Sequence, residues 1–138
     1  MLDHVTYDYA IVRVVPKVER AEFVNVGVIV SCPELDLLLS RIELDERRLM
    51  ALDPTLDLQS VQTHLAAIPT ICVGGEQAGP IGRLSQRERF YWLVAPRSTV
   101  IQMSPTHTGS AQDIEAVVER LLETMVRPPA GNGRSIVT

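Results

Sequence analysis

Alternating and continuous apolar runs predict three strands in the first third of the chain. Residues 7–16 alternate in character, which places Arg13 on the same strand face as Tyr7. Residues 35–44 form a third strand, and the short connections favour an antiparallel arrangement. Between them, the strand predicted over residues 22–32 carries an apolar residue at every even position from 24 onward. This predicts one continuous apolar face made of Val24, Val26, Val28, Val30 and Cys32.

Capping residues and helical spacing predict two helices in the middle of the chain. Asp45 is suited to cap a short helix that ends at Asp53-Pro54. A second helix covers residues 57–68 and stops at Pro69, because proline removes a backbone donor. Residues 73–82 are rich in glycine, which predicts a loop.

Residues 86–94 leave two alternatives open. Ser85 and Glu88 have the spacing of a capping box, which favours a helix. The run from Phe90 to Val94 is rich in β-forming residues, which is typical of a strand. We favour the helix.

The rest of the chain predicts a strand, a polar loop and a helix. Residues 99–103 form the strand and residues 104–109 the loop. From Ile114 to Val126 the apolar residues follow an i, i+3, i+4, i+7 pattern, which predicts an amphipathic helix. We therefore predict one α+β domain over residues 1–129, with an antiparallel sheet of three to four strands and helices packed mainly on one face. Residues 130–138 are expected to be a disordered tail.

Composition argues against nucleic acid as a partner and indicates the compartment of the protein. The net charge of the 138 residues is −4, and generic binding to nucleic acid needs clustered positive charge instead. Cys32 and Cys72 lack CxxC spacing and lie in apolar surroundings, which indicates buried thiols in a reducing compartment. No apolar run reaches the roughly 20 residues needed to span a bilayer. We expect a cytoplasmic protein with no membrane partner.

The usual signatures of enzymes are missing from the sequence. His4, His64 and His107 are not at metal-ligand spacing with one another or with a cysteine, so no metal site is expected. There is no Gly-x-Ser-x-Gly elbow and no P-loop. We therefore expect no cofactor, and the sequence identifies no catalytic residues. It favours a protein that is not an enzyme.

The first candidate site lies on the polar strand face. If the valine face packs on the helices, Arg13 and Asn25 both point to the other side of the sheet. Gly27 adds a hint, since glycine inside a strand often marks a bulge or a close approach of another chain. The structural alternative is that Asn25 bonds a neighbouring loop and that Arg13 pairs with Glu22 or Glu19.

The second candidate site is the loop that precedes the last helix. Free backbone N–H groups at a helix N-terminus favour an anion, and Arg97, Ser104, Thr106 and His107 offer further donors. The structural alternative is a loop whose hydroxyl groups satisfy its own backbone.

Three segments of the chain together carry a family resemblance. They are Tyr9-Ala10-Ile11-Val12-Arg13-Val14-Val15-Pro16, Glu19-Arg20 with Glu22-Phe23-Val24-Asn25-Val26-Gly27-Val28, and Ser104-Pro105-Thr106-His107-Thr108-Gly109. Through them, most of residues 7–127 resemble the bacterial domain of unknown function 3037 family. The family implies no particular activity. Its members resemble proteins encoded beside a HipA-like Ser/Thr kinase, which implies a partner or regulatory role.

Three functional hypotheses follow from these observations. The leading one is a non-catalytic partner or regulator of a HipA-like Ser/Thr kinase, which makes contact through the Arg13 strand face and the His107 loop. The competing one is a small enzyme or binder that holds a phosphate or carboxylate at Arg13, Arg20, Arg97 and His107. A third is a purely structural subunit, and a homo-oligomer stays open in each case.

Overall fold

A computed structural model describes residues 3–97 and 99–129, and the predicted tail lies outside these ranges. Five strands form one antiparallel sheet in the described part of the chain. Their order is β3-β2-β1, with β4 and β5 both paired to the remaining edge of β1. The predicted α+β fold is confirmed, with one more strand than expected. The strands are β1 (Val5–Val14), β2 (Val24–Cys32), β3 (Leu37–Ile42), β4 (Ile101–Met103) and β5 (His107–Ala111).

Each α-helix begins where a side chain caps its first backbone donors. Asp45, Asp57, Ser85 and Asp113 each accept a hydrogen bond from the backbone N–H three residues later. The capping box of Ser85 and Glu88 is complete, so the helix favoured over residues 86–94 is confirmed. The α-helices are α1 (Glu46–Leu52), α2 (Leu58–Val73), α3 (Gln86–Val94) and α4 (Ile114–Leu121). Three 3-10 helices also occur within the described residues, at Val18–Arg20, Pro33–Leu35 and Glu76–Arg83, and the last of them occupies most of the segment predicted as a loop.

The prediction that the second helix stops at Pro69 is wrong, because α2 continues through it to Val73. A proline inside a helix costs about 3 kcal/mol. Burial of Ile71 and Cys72 in the core offsets this cost. Full burial of one large aliphatic side chain stabilises a fold by roughly 1.5–3 kcal/mol. The Arg89 guanidinium also donates to the backbone carbonyls of both residues, at 2.9 and 3.2 Å.

Apolar side chains fill two cores, one on each face of the sheet. On one face, α1, α2 and α3 cover a core that includes Val12, Leu49 and Phe90. On the other face, α4 alone covers a core that includes Ile11 and Val118. We call these the three-helix face and the α4 face. Every helix in the described ranges is too short or too polar to cross a bilayer.

A bulge in β2 overturns the prediction of one continuous valine face. Val12 pairs with Gly27 and Arg13 pairs with Asn25, so that Val26 has no partner in β1. One extra residue reverses the alternation of the strand. Val24 and Val26 therefore pack on the three-helix face, while the α4 face receives Val28, Val30 and Cys32.

A wide π turn at Leu122–Val126 continues α4. The sequence pattern predicts that Met125 belongs to the buried stripe, but its side chain is exposed. A π turn holds more residues per turn than an α-helix, which rotates Met125 off the stripe. Leu122 and Val126 remain buried.

Candidate functional site

Arg13 and Asn25 are direct cross-strand partners, which places both side chains on the α4 face. The prediction that they share a face is confirmed. The Arg13 Cζ atom lies 4.1 Å from the centroid of the Phe23 ring. The Asn25 side-chain amide donates to the carbonyl oxygen of Met125 at 2.9 Å. This hydrogen bond links the π turn to strand β2.

Two buried polar atoms at this position have no hydrogen-bond partner in the described part of the chain. They are Nε of Arg13 and Oδ1 of Asn25. A buried group left without a partner costs about 1–3 kcal/mol. Beside them, the large apolar side chains of Phe23 and Met125 are 44% and 41% exposed. We call Arg13, Phe23, Asn25 and Met125 the Arg13 surface.

Arg20 and Glu22 form an ion pair with each other instead of reaching Arg13. The Nε atom of Arg20 lies 2.6 Å from Oε1 of Glu22. The hydrogen bond from Arg20 lowers the pKa of Glu22. Both side chains are exposed, so water screens the pair and it adds little to stability. Glu22 is therefore not the partner of Arg13 that the structural alternative expected.

Gly27 lies away from the Arg13 surface, in the contact between β2 and β3. Its cross-strand partner Val12 belongs to the three-helix face. A Cβ atom at Gly27 would lie 2.7 Å from the carbonyl oxygen of Arg41 and 2.6 Å from Cδ1 of Ile42. The glycine therefore permits the close approach of β3, a strand of the same chain and not another chain, and the predicted bulge is confirmed at the adjacent Val26.

Ser104 joins the two edge strands to β1. Ala10 and Ile11 lie opposite residues 104–106, so the edge carries one extra residue between β4 and β5. The backbone N–H of Ser104 donates to the Ile11 carbonyl at 2.9 Å. The Ile11 N–H in turn donates to the Ser104 hydroxyl at 2.8 Å. The side chain thus replaces a backbone acceptor, while Thr106 beside it is exposed.

The prediction of a loop over residues 104–109 is wrong, because His107 begins strand β5, whereas anion binding by these residues stays a prediction. The His107 ring packs on Tyr9, with ring centroids 5.3 Å apart. Helix α4 starts only after Asp113, whose carboxylate accepts from the N–H of Ala116 at 3.3 Å. A negative side chain therefore occupies the helix N-terminus where an anion was expected.

Arg97 acts as a cap for α3. Its guanidinium donates to the carbonyls of Leu93 at 3.0 Å and Trp92 at 2.8 Å. Its Cζ atom lies 4.5 Å from the centroid of the Trp92 ring. These contacts lie on the three-helix face, opposite Arg13. The structure therefore separates Arg97 from His107 and Arg13 and does not bring the four predicted anion-binding groups together.

Sequence reasoning missed an ionic network around Asp8. Asp8 forms an ion pair with Arg87 of α3 and accepts a hydrogen bond from the Thr108 hydroxyl at 2.5 Å. Arg87 also donates to the hydroxyl of Ser31 at 2.9 Å. The signal for it was an aspartate on a strand face that is otherwise apolar, at Ala10, Val12 and Val14.

Sequence reasoning also missed a cavity on the three-helix face. It has a volume of about 630 Å³ and lies between α2, the end of α3 and the segment that leads into β4. Helices distant in sequence create it by packing, so no local pattern points to it. No cluster of metal-ligating side chains occurs in residues 3–97 and 99–129.

Comparison with known proteins identifies the family. No significant match was found among curated proteins or among solved structures. A family model described as protein of unknown function (DUF3037) matches residues 9–126. This range runs from β1 to the end of the π turn and contains all four residues of the Arg13 surface. The chain therefore belongs to the DUF3037 family.

Proposed function

We propose that this protein is a non-catalytic partner or regulator of a HipA-like Ser/Thr kinase module, and that the Arg13 surface is its contact face. The observation that carries the proposal is the pair of unsatisfied buried atoms, Nε of Arg13 and Oδ1 of Asn25, beside two exposed apolar side chains. The kinase as partner comes from the family resemblance.

The chemistry of the Arg13 surface suits a protein partner. Aromatic residues, methionine and arginine are enriched in interfaces, and arginine and aromatic residues often contribute most of the binding energy. The peptide group of a partner carries one acceptor for Arg13 and one donor for Asn25. Both residues are only partly buried, and binding requires a change of rotamer that brings either atom to the partner. Binding would then remove the cost of two unsatisfied groups.

The competing hypothesis of an enzyme or anion binder has less support. Its predicted groups make contacts in different places, since Arg97 binds carbonyls of α3 and His107 packs on Tyr9. Cys72 is a poor nucleophile, because burial raises the pKa of its thiol.

A binding measurement with a purified HipA-like Ser/Thr kinase tests the proposal. We expect saturable binding by isothermal titration calorimetry, weakened at least tenfold by Phe23→Ala at the centre of the contact. Leu35→Ala is the matched control, because Leu35 is an exposed apolar residue in the turn at the opposite end of β2. Absence of binding, or equal losses in the two variants, would contradict the proposal.

A further inference from the structure

The cavity on the three-helix face has the dimensions of a small-molecule site. Its volume of about 630 Å³ lies in the range of roughly 300–1,000 Å³ that is typical of ligand pockets. Its walls are mainly apolar and come from three elements far apart in sequence. Examples are Val61, Ile68 and Ile71 of α2, Leu93 of α3, and Ile101 and Met103 of β4.

The charged groups that line the cavity already have partners within the protein. Asp53 accepts hydrogen bonds from the backbone and hydroxyl of Thr55, at 2.9 and 2.6 Å, and lies 3.6 Å from the Lys17 ammonium. Asp57 caps α2, and the Arg97 guanidinium is bonded to carbonyls of α3. The two lining carboxylates are balanced in formal charge by Arg97, which lines the cavity, and by Lys17, which contacts Asp53 from outside the lining. No charge is left to recognise a charged ligand.

His64 supplies one unused hydrogen-bonding atom at the rim. Its Nδ1 lies 2.7 Å from the carbonyl oxygen of Ser60. Because a carbonyl only accepts, Nδ1 carries the proton, and Nε2 of the neutral ring is then an acceptor. Nε2 has no protein partner among the contacts of the described residues. His64 is exposed and lines the cavity, so a bound molecule can reach it.

We propose that this cavity binds an uncharged, mainly apolar small molecule whose hydroxyl or N–H group donates to Nε2 of His64. Binding removes the apolar body of the ligand and the apolar walls of the cavity from water. This burial of apolar surface is the main source of the affinity. The site lies on the face opposite the Arg13 surface and does not depend on the proposed kinase contact.

A series of chain-matched probes tests the uncharged character of the ligand. Octan-1-ol, octanoate and octylamine have the same chain and differ in the charge of their polar end. We expect octan-1-ol to raise the melting temperature in proportion to the logarithm of its concentration above its dissociation constant. Octanoate and octylamine should bind at least tenfold more weakly. Absence of octan-1-ol binding, or tighter binding of either charged probe, overturns the proposal.

Two alanines in α2 provide a matched pair of variants that locates the binding. Ala67 lines the cavity, whereas its exposed neighbour Ala66 does not. Ala67→Phe should abolish octan-1-ol binding and Ala66→Phe should leave it unchanged, with circular dichroism to verify the fold. Ala67→Leu fills less of the cavity and serves if the phenylalanine variant does not fold. If octan-1-ol still binds when the cavity is filled, it binds elsewhere on the protein, and the proposal is overturned.

His64→Leu tests the hydrogen bond itself. The variant keeps an apolar side chain at the rim and removes the acceptor. We expect octan-1-ol to bind about fivefold more weakly, as for the loss of one ordinary hydrogen bond. Unchanged affinity would contradict the assigned role of Nε2.

Discussion

The ion pair between Asp8 and Arg87 should contribute much more to stability than an exposed cross-element pair such as that of Arg41 and Glu115. Its side chains are only 15% and 30% exposed, and Arg87 also contacts Ser31 and the Phe90 ring. Removing one partner of a buried pair costs about 3–5 kcal/mol, whereas an exposed pair is worth at most about 1 kcal/mol. For this partly buried pair we expect Asp8→Ala to destabilise the protein by roughly 2–3 kcal/mol.

A double-mutant cycle isolates the interaction between the two side chains. Asp8→Ala, Arg87→Ala and the double variant should give a coupling energy of about 1–2 kcal/mol. Urea unfolding, followed by circular dichroism, measures the four free energies, and equal m-values confirm that the variants unfold alike. Arg41 and Glu115 are the control pair, 3.9 Å apart with side chains 46% and 70% exposed. A coupling no larger than that of the control would refute the reasoning.

The same pair makes a prediction about pH. Partial burial raises the pKa of Asp8. Hydrogen bonds from Thr108 and Arg87 and the positive charge of Arg87 lower it, and together they outweigh the effect of burial. The pKa of Asp8 therefore lies below its usual value. The folded protein thus binds the proton less tightly than the unfolded chain does. The stabilisation is fully present above the unfolded pKa of about 3.9 and is lost as the pH falls through the lower folded value. The stability difference between wild type and Asp8→Ala should shrink over that range, and a constant difference would contradict it.

Three further substitutions test the packing described above. Gly27→Ala should destabilise the protein by about 1–3 kcal/mol in a urea melt, because its Cβ meets the Arg41 carbonyl at 2.7 Å; an unchanged midpoint would show that β3 can move away. Leu121→Ala should cost about 2–5 kcal/mol, since the side chain is buried under α4, and a loss below about 0.5 kcal/mol would mean that this core is loosely packed. Ser104→Ala should cost about 1–3 kcal/mol, because it leaves the buried Ile11 N–H without an acceptor; hydrogen exchange at that amide should also accelerate, and native protection would count against the role of the hydroxyl.

Local signals in the sequence predict the starts of helices well. Asp45 and the Ser85–Glu88 box act within one turn, so their effect does not depend on the rest of the fold. The end of α2 was missed at Pro69 because distant groups decide it. Arg89 satisfies the last carbonyls, and burial of the following residues outweighs the lost hydrogen bond.

The candidate site shows the same division between local and distant causes. Arg13 and Asn25 were placed together correctly because alternation within each strand fixes their faces. Arg97 and His107 were grouped incorrectly, since their positions depend on which face α3 covers and on the pairing of β5 with β1. The cavity depends on packing alone.

The bulge at Val26 determines where β2 can change its length. In a regular strand, loss of one residue moves every side chain on one side of the deletion to the opposite face of the sheet. Val26 is already the unpaired residue, so its removal would leave Asn25 opposite Arg13 and Gly27 opposite Val12. At this point the loss of one residue therefore leaves every neighbouring side chain on its present face. It costs the packing of one valine and the hydrogen bond that the Glu43 N–H donates to the Val26 carbonyl at 2.8 Å. Family members with a β2 strand one residue shorter should carry the gap at this position.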